Sequence, residues 1–396
     1  MGASFSEDIL TEILKRLPVP SLIRLMLVQK SWYRLIQSPD FNKALSWYHQ
    51  NNTPAYILFH TNYCNRPISL CVNDKQFNQY SSLPFPQDFK HAKVLGISNG
   101  LICLSHLSHN NPRPLRIFLW NPVIRKFKTS PRCPIPDPSS GGSFDATGLA
   151  FGYVHKMNDY KVINTVRPYD EIGRYISDKI VVLVYSLSTN SWKTSWKTVS
   201  KGMLPLSRNI DKPVIVNGVA YWNGTGGSIA CFDIESEMMQ EIMMPLKYRS
   251  LVNSITLVQN FSDLFLFGFD YVNGCPSFLD IWLLGDADVW THKFRLDLEN
   301  IEQDPVCFMS NHEIILKRCY PYGFKSYDIE KGEPTEIIDD LLDLCSALDI
   351  GPFTRGIGAS PFVESLGLLG EELQRNRRSV CKSSNKSSQI PIRAFD

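Results

Sequence analysis

The sequence predicts an α+β protein of more than one domain: a small all-α unit followed by an all-β propeller of six or seven blades. Two observations support this. Up to His49 the apolar residues recur at helical spacing, whereas beyond Thr53 short apolar runs alternate with turn residues. In the second region an aromatic residue followed by a polar turn returns at similar intervals, as in propeller blades. Aromatic residues make up 12% of the chain, which also favours β structure.

The N-terminal unit is predicted to form three short helices. An apolar stripe runs along one face of the first, formed by Ile9, Leu10, Ile13, Leu14 and Leu17. Ser4 or Ser6 can cap this helix, Pro18 ends it, and the third helix ends at Ser38-Pro39. Because so small a unit cannot bury this much apolar surface by itself, we expect it to dock onto something.

Two stretches of this unit resemble the plant F-box, residues 5–22 and 28–41. They contain I-L-x-R-L-P at 13–18, S-L-x-R at 21–24 and K-S-W-x-x-L-I-x-S-P-x-F at 30–41. The resemblance departs at Phe5-Ser6, where Leu-Pro is usual, and at Gln29, where Cys is usual. It implies binding to a Skp-type adaptor, and through it to cullin and RING subunits. By the same resemblance, the residues that pack together or against the adaptor are Phe5, Ile9, Leu10, Ile13, Leu14, Leu17, Pro18, Leu22, Val28 and Trp32.

The repeats of the β region are anchored by aromatic residues. The anchors are Trp120, Tyr185, Phe232, Trp282 and Tyr327, with a weaker copy near Leu70. The later intervals are 47, 50 and 45 residues, and Asn99-Gly100 and Asn217-Gly218 supply the tight turns of hairpins. Together with Trp120-Asn121-Pro122 and the closing 362–366 segment, these motifs resemble the plant F-box-associated kelch-like propeller domain.

The combined resemblances predict three parts: an F-box domain at 1–50, a propeller at 51–370 and a disordered, basic, Ser-rich tail at 371–396. They imply the substrate-recognition subunit of a Skp–cullin–F-box ubiquitin ligase, whose target the sequence does not identify. Pro131–Phe144 and Arg167–Tyr175 are the longest insertions between strand-like runs, which nominates them for target binding. The alternatives are a carbohydrate-binding or enzymatic propeller, or an F-box scaffold that acts without ubiquitin transfer.

Composition excludes several other classes. A formal charge of +2 without a long basic run before the tail argues against nucleic-acid binding. The apolar runs are strand-length and no signal peptide is evident, so we expect no membrane span. Ten cysteines without a C-x-x-C pair indicate reduced thiols in the cytosol or nucleus.

No matched set of catalytic, cofactor-binding or metal-binding residues emerges. Gly96-x-Ser98-x-Gly100 matches a nucleophile elbow, but an apolar strand follows it where a helix is needed. Cys103, His106 and His109 lack a fourth ligand at a zinc spacing. Gly2 fits an N-myristoylation pattern, although these residues also precede and cap the first helix.

Overall fold

The structure is a computed structural model. It describes residues 6–50, 56–61, 68–73, 79–83, 92–105, 116–135, 143–170, 172, 174–175, 179–200, 203–204, 214–251, 254–260, 262–272, 275–298, 303–310, 312–319, 322–338 and 357–369. Its helices are α1 (Glu7–Leu14), α2 (Val19–Leu25), α3 (Lys30–Gln37) and α4 (Pro39–Gln50). Ser6 caps α1, since its side chain accepts a hydrogen bond from the backbone N–H of Ile9. Among the described residues, no helix is long and apolar enough to cross a membrane.

The prediction of three helices is wrong by one, because α4 starts where the third helix was expected to end the unit. Pro39 is the first residue of α4, a position where proline is well tolerated. Ser38 before it has an extended backbone, and its Oγ accepts a hydrogen bond from the N–H of Phe41 at 3.1 Å. The Ser-Pro pair therefore ends one helix and begins the next.

Six four-stranded antiparallel sheets follow the helices in the described part of the chain. The first twelve strands are β1 (Tyr56–Thr61), β2 (Ile68–Val72), β3 (Gln79–Leu83), β4 (Lys93–Ser98), β5 (Leu101–Ser105), β6 (Ile117–Asn121), β7 (Lys126–Thr129), β8 (Ser143–Val154), β9 (Asp159–Tyr169), β10 (Lys179–Ser186), β11 (Ser191–Thr198) and β12 (Val214–Val216). The others are β13 (Val219–Asn223), β14 (Ser228–Asp233), β15 (Met239–Met243), β16 (Ile255–Asn260), β17 (Asp263–Val272), β18 (Cys275–Leu284), β19 (Trp290–Asp297), β20 (Gln303–Phe308), β21 (Glu313–Cys319), β22 (Tyr322–Asp328), β23 (Glu333–Ile338) and β24 (Ile357–Phe362).

The sheets are the blades of a closed six-bladed propeller, which settles the predicted choice between six and seven. Blade 1 has the order β24-β1-β2-β3, and blades 2 to 6 each take four consecutive strands from β4 to β23. The first strands of successive blades contact one another around the axis. β24 pairs with β1 from Tyr56↔Phe362 to Thr61↔Ile357, so the two ends of the propeller chain close the ring within one sheet.

The predicted aromatic anchors occupy equivalent places in the ring. Each lies on the third strand of its blade, and Leu70 lies on the third strand of blade 1. Tyr185 and Phe232 are fully buried, and Tyr327 is nearly so. Blades bury their faces against their neighbours, so one large side chain per repeat supports the core between blades.

Alternating strand direction gives the ring two distinct faces. On the proximal face lie the turns between the first and second strands and between the third and fourth strands of each blade. On the distal face lie the connections between second and third strands and those between successive blades. The proximal turns include Asn99-Gly100, with φ of 42° and 75°, and Asn217-Gly218, with φ of 50° and 86°. Both pairs are therefore the tight Asn-Gly turns that the sequence predicts.

Candidate functional site

Exposed apolar side chains lie on α1 and in the turn between α2 and α3. Ile9 and Ile13, four residues apart on α1, are 49% and 48% exposed. Leu27 and Val28, in the turn between α2 and α3, are 86% and 69% exposed. Exposed apolar side chains of this kind are candidates for contact with another protein. We call these four residues the helical surface.

The residues predicted to contact the adaptor differ in their exposure. Ile9, Ile13, Pro18 and Val28 are exposed, whereas Leu10, Leu17 and Trp32 are half-buried. Leu14 and Leu22 are buried at 3% and 0% exposure. Both pack inside the molecule, which is one of the two roles predicted for the set, and contact of its members with an adaptor stays a prediction. Phe5 lies outside the described residues.

Sequence reasoning missed Leu27, the most exposed apolar side chain of the unit. The prediction for the helical unit rests on the helical spacing of its apolar residues. Because α2 ends at Leu25, Leu27 lies in a turn to which that periodicity does not apply.

A buried glutamate attaches the helices to the propeller. Glu364 follows β24 on the proximal face, and its Oε2 accepts a hydrogen bond of 2.6 Å from the backbone N–H of Val19 at the start of α2. No side chain of the helix itself caps that end, where Pro18 is the N-cap residue. Burial raises the pKa of the Glu364 carboxyl, against the opposing effect of the Val19 hydrogen bond. Its carboxyl therefore substitutes for the missing helix cap.

The Asn121 side chain holds the segment after Glu364 in place. Its Nδ2 donates to the carbonyl oxygens of Ser365 at 2.8 Å and Gly367 at 3.0 Å. Its Oδ1 accepts hydrogen bonds from the N–H groups of Val123 at 3.1 Å and Ile124 at 3.3 Å. Asn121 is fully buried, so these bonds satisfy both ends of an amide that water cannot reach. Asn121 of the Trp-Asn-Pro motif therefore fixes the segment after the closing strand β24 to blade 2.

The helices and this closing segment share one hydrophobic core. Its buried members are Leu14, Val19, Leu22, Leu35, Ile36, Phe41, Leu45 and Leu366. Val123 and Ile124 from blade 2 pack against it. Because residues of the helical unit and of the propeller bury each other, the helices have one defined position on the proximal face.

Helix α4 also reaches the mouth of the central channel. Ser46 Oγ lies 3.4 Å from His155 Nδ1, and a cavity of about 170 Å³ separates the helix from the ends of the inner strands. Burial lowers the pKa of His49 to about 4, and it also lowers the pKa of His155. Both imidazoles are therefore neutral near pH 7, and protonating them opposes docking of α4.

The described residues of the two segments nominated for target binding belong to the distal face, opposite the helices. Residues 131–135 leave blade 2 towards blade 3, and residues 136–142 lie outside the described residues. In the second segment, the Arg167 guanidinium lies 3.9 Å from the ring centre of Tyr175, which bridges to Tyr169. Target binding by either segment stays a prediction.

The other sequence candidates show no assembled chemistry. Ser98 ends β4 at a hairpin, and its Oγ accepts a hydrogen bond from the N–H of Tyr153 at 2.9 Å, in agreement with the predicted β-turn. Cys103 is buried in β5, where burial raises its pKa well above the usual range. His106, His109 and Gly2 lie outside the described residues. Within the described ranges, no three His, Cys, Asp or Glu side chains group as a metal site.

An exposed apolar helical surface fixed on a closed propeller is typical of a protein that binds another protein. Comparison with known families identifies the family. Residues 4–44 match the F-box domain, and residues 56–320 match the F-box associated beta propeller domain. The chain belongs to the family of plant F-box proteins that carry this propeller.

Curated relatives in Arabidopsis thaliana are similar to this chain. The F-box protein At5g49610 is 26% identical over 253 residues, covering 63% of this chain and 66% of the relative. The F-box protein CPR1 is 32% identical over 204 residues, covering 48% and 45%. The F-box/kelch-repeat protein At3g23880 is 24% identical over 305 residues, covering 72% and 74%. The chain spans less than two thirds of the length of several relatives that it matches, for example 60% of the F-box protein At3g07870.

Among solved structures, the nidogen/laminin complex is similar with a TM-score of 0.43 and 12% identity, covering 78% of this chain and 99% of that one. A similarity this low bears on neither mechanism nor partners.

Proposed function

We propose that this protein is the substrate-recognition subunit of a Skp–cullin–F-box ubiquitin ligase. The helical surface binds the Skp-type adaptor, which bridges to cullin and RING subunits, and the propeller binds a target protein. The observation that carries the proposal is the exposure of Ile9, Ile13, Leu27 and Val28 on a helical unit that already shares a hydrophobic core with the propeller. Exposing apolar side chains to water costs free energy, and a partner that covers them removes this cost.

Adaptor binding is proposed to use the exposed side chains rather than the whole predicted set. Ile9 and Ile13 sit beside Asp8, Glu12 and Arg16, which line a shallow groove along α1. An apolar centre with a charged rim is the usual anatomy of a protein interface. Leu14 and Leu22 contribute indirectly, since they hold the helices in the arrangement that the adaptor meets.

The function requires no chemistry from this chain. A receptor accelerates ubiquitin transfer by holding the target lysine close to the charged conjugating enzyme, which is catalysis by proximity. Because Glu364, Asn121 and the shared core fix the helices on the proximal face, a target held on the distal face keeps a defined distance from the ligase. We place the protein in the cytosol or nucleus, where its buried free cysteines stay reduced.

The test is reconstitution with a Skp-type adaptor, cullin, RING subunit and conjugating enzyme. The wild-type chain is expected to co-purify with the complex and to become ubiquitinated itself. Ile13→Asp should lose adaptor capture, because an exposed isoleucine can be replaced without unfolding the helix but a carboxylate is costly inside an apolar interface. Val289→Asp is the matched control, an exposed valine on blade 5 far from the helices in sequence.

Three outcomes contradict the proposal in different ways. Absence of adaptor capture by the wild-type chain removes the F-box role and favours a propeller with another activity. Capture that Ile13→Asp leaves intact removes the assigned surface. Adaptor capture without cullin recruitment or ubiquitin transfer supports the scaffold alternative instead.

A further inference from the structure

Exposed apolar side chains gather on the distal face at blade 5. Leu246 is 80% exposed, Tyr271 is 52% exposed and Val272 is 47% exposed. Leu246 lies in the connection from blade 4 to blade 5, and the other two end β17, so all three belong to the distal face. We call these three residues, with Lys247 and Arg295 beside them, the distal patch.

A buried carboxylate fixes the patch. Asp280, 3% exposed in its side chain, accepts hydrogen bonds from Lys247 Nζ at 2.7 Å, from Tyr248 OH at 2.7 Å and from Arg295 Nη1 at 3.1 Å. These donors come from the inter-blade connection and from β19, whereas Asp280 is on β18. Gly268 allows the arrangement, since a Cβ there would come within 2.3 Å of the Tyr248 ring. The connection that carries Leu246 is therefore held rigidly.

The anionic side chains of this cluster are less exposed than its cationic side chains. Lys247 also pairs with Asp270, and Arg295 Nη2 lies 2.8 Å from that carboxylate. The side chains of Asp280 and Asp270 are 3% and 20% exposed, whereas those of Lys247 and Arg295 are 38% and 43% exposed. The anions lie beneath and the cations face solvent. A partner that approaches the distal patch therefore meets positive charge beside apolar side chains.

We propose that the distal patch binds an extended segment of the target protein that combines apolar with acidic side chains. Apolar residues of the segment pack on Leu246, Tyr271 and Val272, and its carboxylates pair with the exposed parts of Lys247 and Arg295. The inference rests on the proposed function only in naming the occupant as a ligase target. Two exposed cations beside one buried and one half-buried carboxylate are too few for nucleic acid, whose binding requires clustered uncompensated charge.

The probe is a short fluorescein-labelled peptide of alternating glutamate and leucine, titrated by anisotropy with the full chain in the presence of a Skp-type adaptor. Binding is expected, and a peptide with lysine in place of glutamate should bind at least tenfold more weakly. Leu246→Asp and Val272→Asp should each weaken binding at least tenfold, because both place a carboxylate where the probe packs an apolar group. Val289→Asp, at the opposite end of blade 5, should leave binding unchanged.

Several results overturn the inference. They are no binding of the glutamate peptide, equal binding of the lysine peptide, and equal loss of binding in Leu246→Asp and Val289→Asp. Vesicles of phosphatidylcholine and phosphatidylserine form a further arm, and capture on them that Leu246→Asp abolishes assigns the patch to a membrane instead. Adaptor capture is scored in the same samples. Loss of peptide binding with adaptor capture intact refutes only the patch, whereas peptide binding without adaptor capture refutes only the ligase role.

Discussion

Replacing Glu364 tests how much one buried carboxyl contributes to holding the helices on the propeller. Glu364→Ala removes the acceptor of the 2.6 Å hydrogen bond from Val19 and leaves that N–H buried without a partner. A buried donor without a partner costs about 1–3 kcal/mol. Since 1.4 kcal/mol corresponds to about a tenfold change, we expect hydrogen exchange in α2 to accelerate by roughly 5- to 150-fold.

Glu364→Gln separates the hydrogen bond from the charge, because glutamine keeps an acceptor and cannot ionise. The pKa of Glu364 is raised by burial, so its contribution to stability is full below the usual pKa of a glutamate and is lost as pH rises through the raised value. The glutamine variant should therefore retain slow exchange in α2 and lose that pH dependence. The assay is hydrogen exchange followed by mass spectrometry at several pH values.

Glu333→Ala is the control, since Glu333 is exposed on the outer strand of blade 6. It should leave exchange in α2 unchanged. Equal exchange in wild type and Glu364→Ala would show that Glu364 does not hold α2, and that docking depends on the apolar core alone.

Three further predictions concern the docking of the helices and the packing of the propeller. Asn121→Ala should lower the free energy of unfolding by about 2–4 kcal/mol in urea, since it leaves the carbonyl of Ser365 and neighbouring N–H groups unpaired, and an unchanged midpoint contradicts this. Because burial lowers the pKa of His49 from 6.5 to about 4, wild-type stability should fall by up to about 3 kcal/mol as pH drops through this window. The fall should be smaller in His49→Gln. If the melting temperatures of wild type and His49→Gln fall in parallel as the pH drops, the loss of stability does not come from His49. Gly268→Ala should destabilise by about 1–3 kcal/mol by overpacking Tyr248, and Tyr248→Leu in the same chain should recover part of the loss in thermal melts.

Repetition in the chain made the propeller predictable. An anchor such as Tyr185 returns with each blade, and Asn99-Gly100 and Asn217-Gly218 have few conformations available to them. The blade number was harder, because the closing strand β24 lies far from its partner β1 in sequence. Pairing between such distant segments leaves no local periodicity to detect.

The helical surface was predictable only in outline. The apolar stripe on α1 has a helical period, but the period does not say which side faces the propeller. Leu14 and Leu22 are buried because Leu366, more than three hundred positions away, packs among them. The role of Glu364 was equally hidden, since a lone glutamate after a strand has no distinguishing pattern. α4 was missed because Ser38-Pro39 signals both the end and the start of a helix.

Affinity for a Skp-type adaptor measures whether the helical surface is the binding site. Calorimetric titration of a Skp-type adaptor into the wild-type chain should show tight binding with a negative heat-capacity change, the mark of buried apolar surface. Ile9→Asp, Ile13→Asp and Val28→Asp should each weaken binding roughly thirtyfold or more, which corresponds to about 2 kcal/mol, while Val289→Asp should bind like wild type. Wild-type affinity in all three helical variants would contradict the account, because the adaptor would then bind elsewhere.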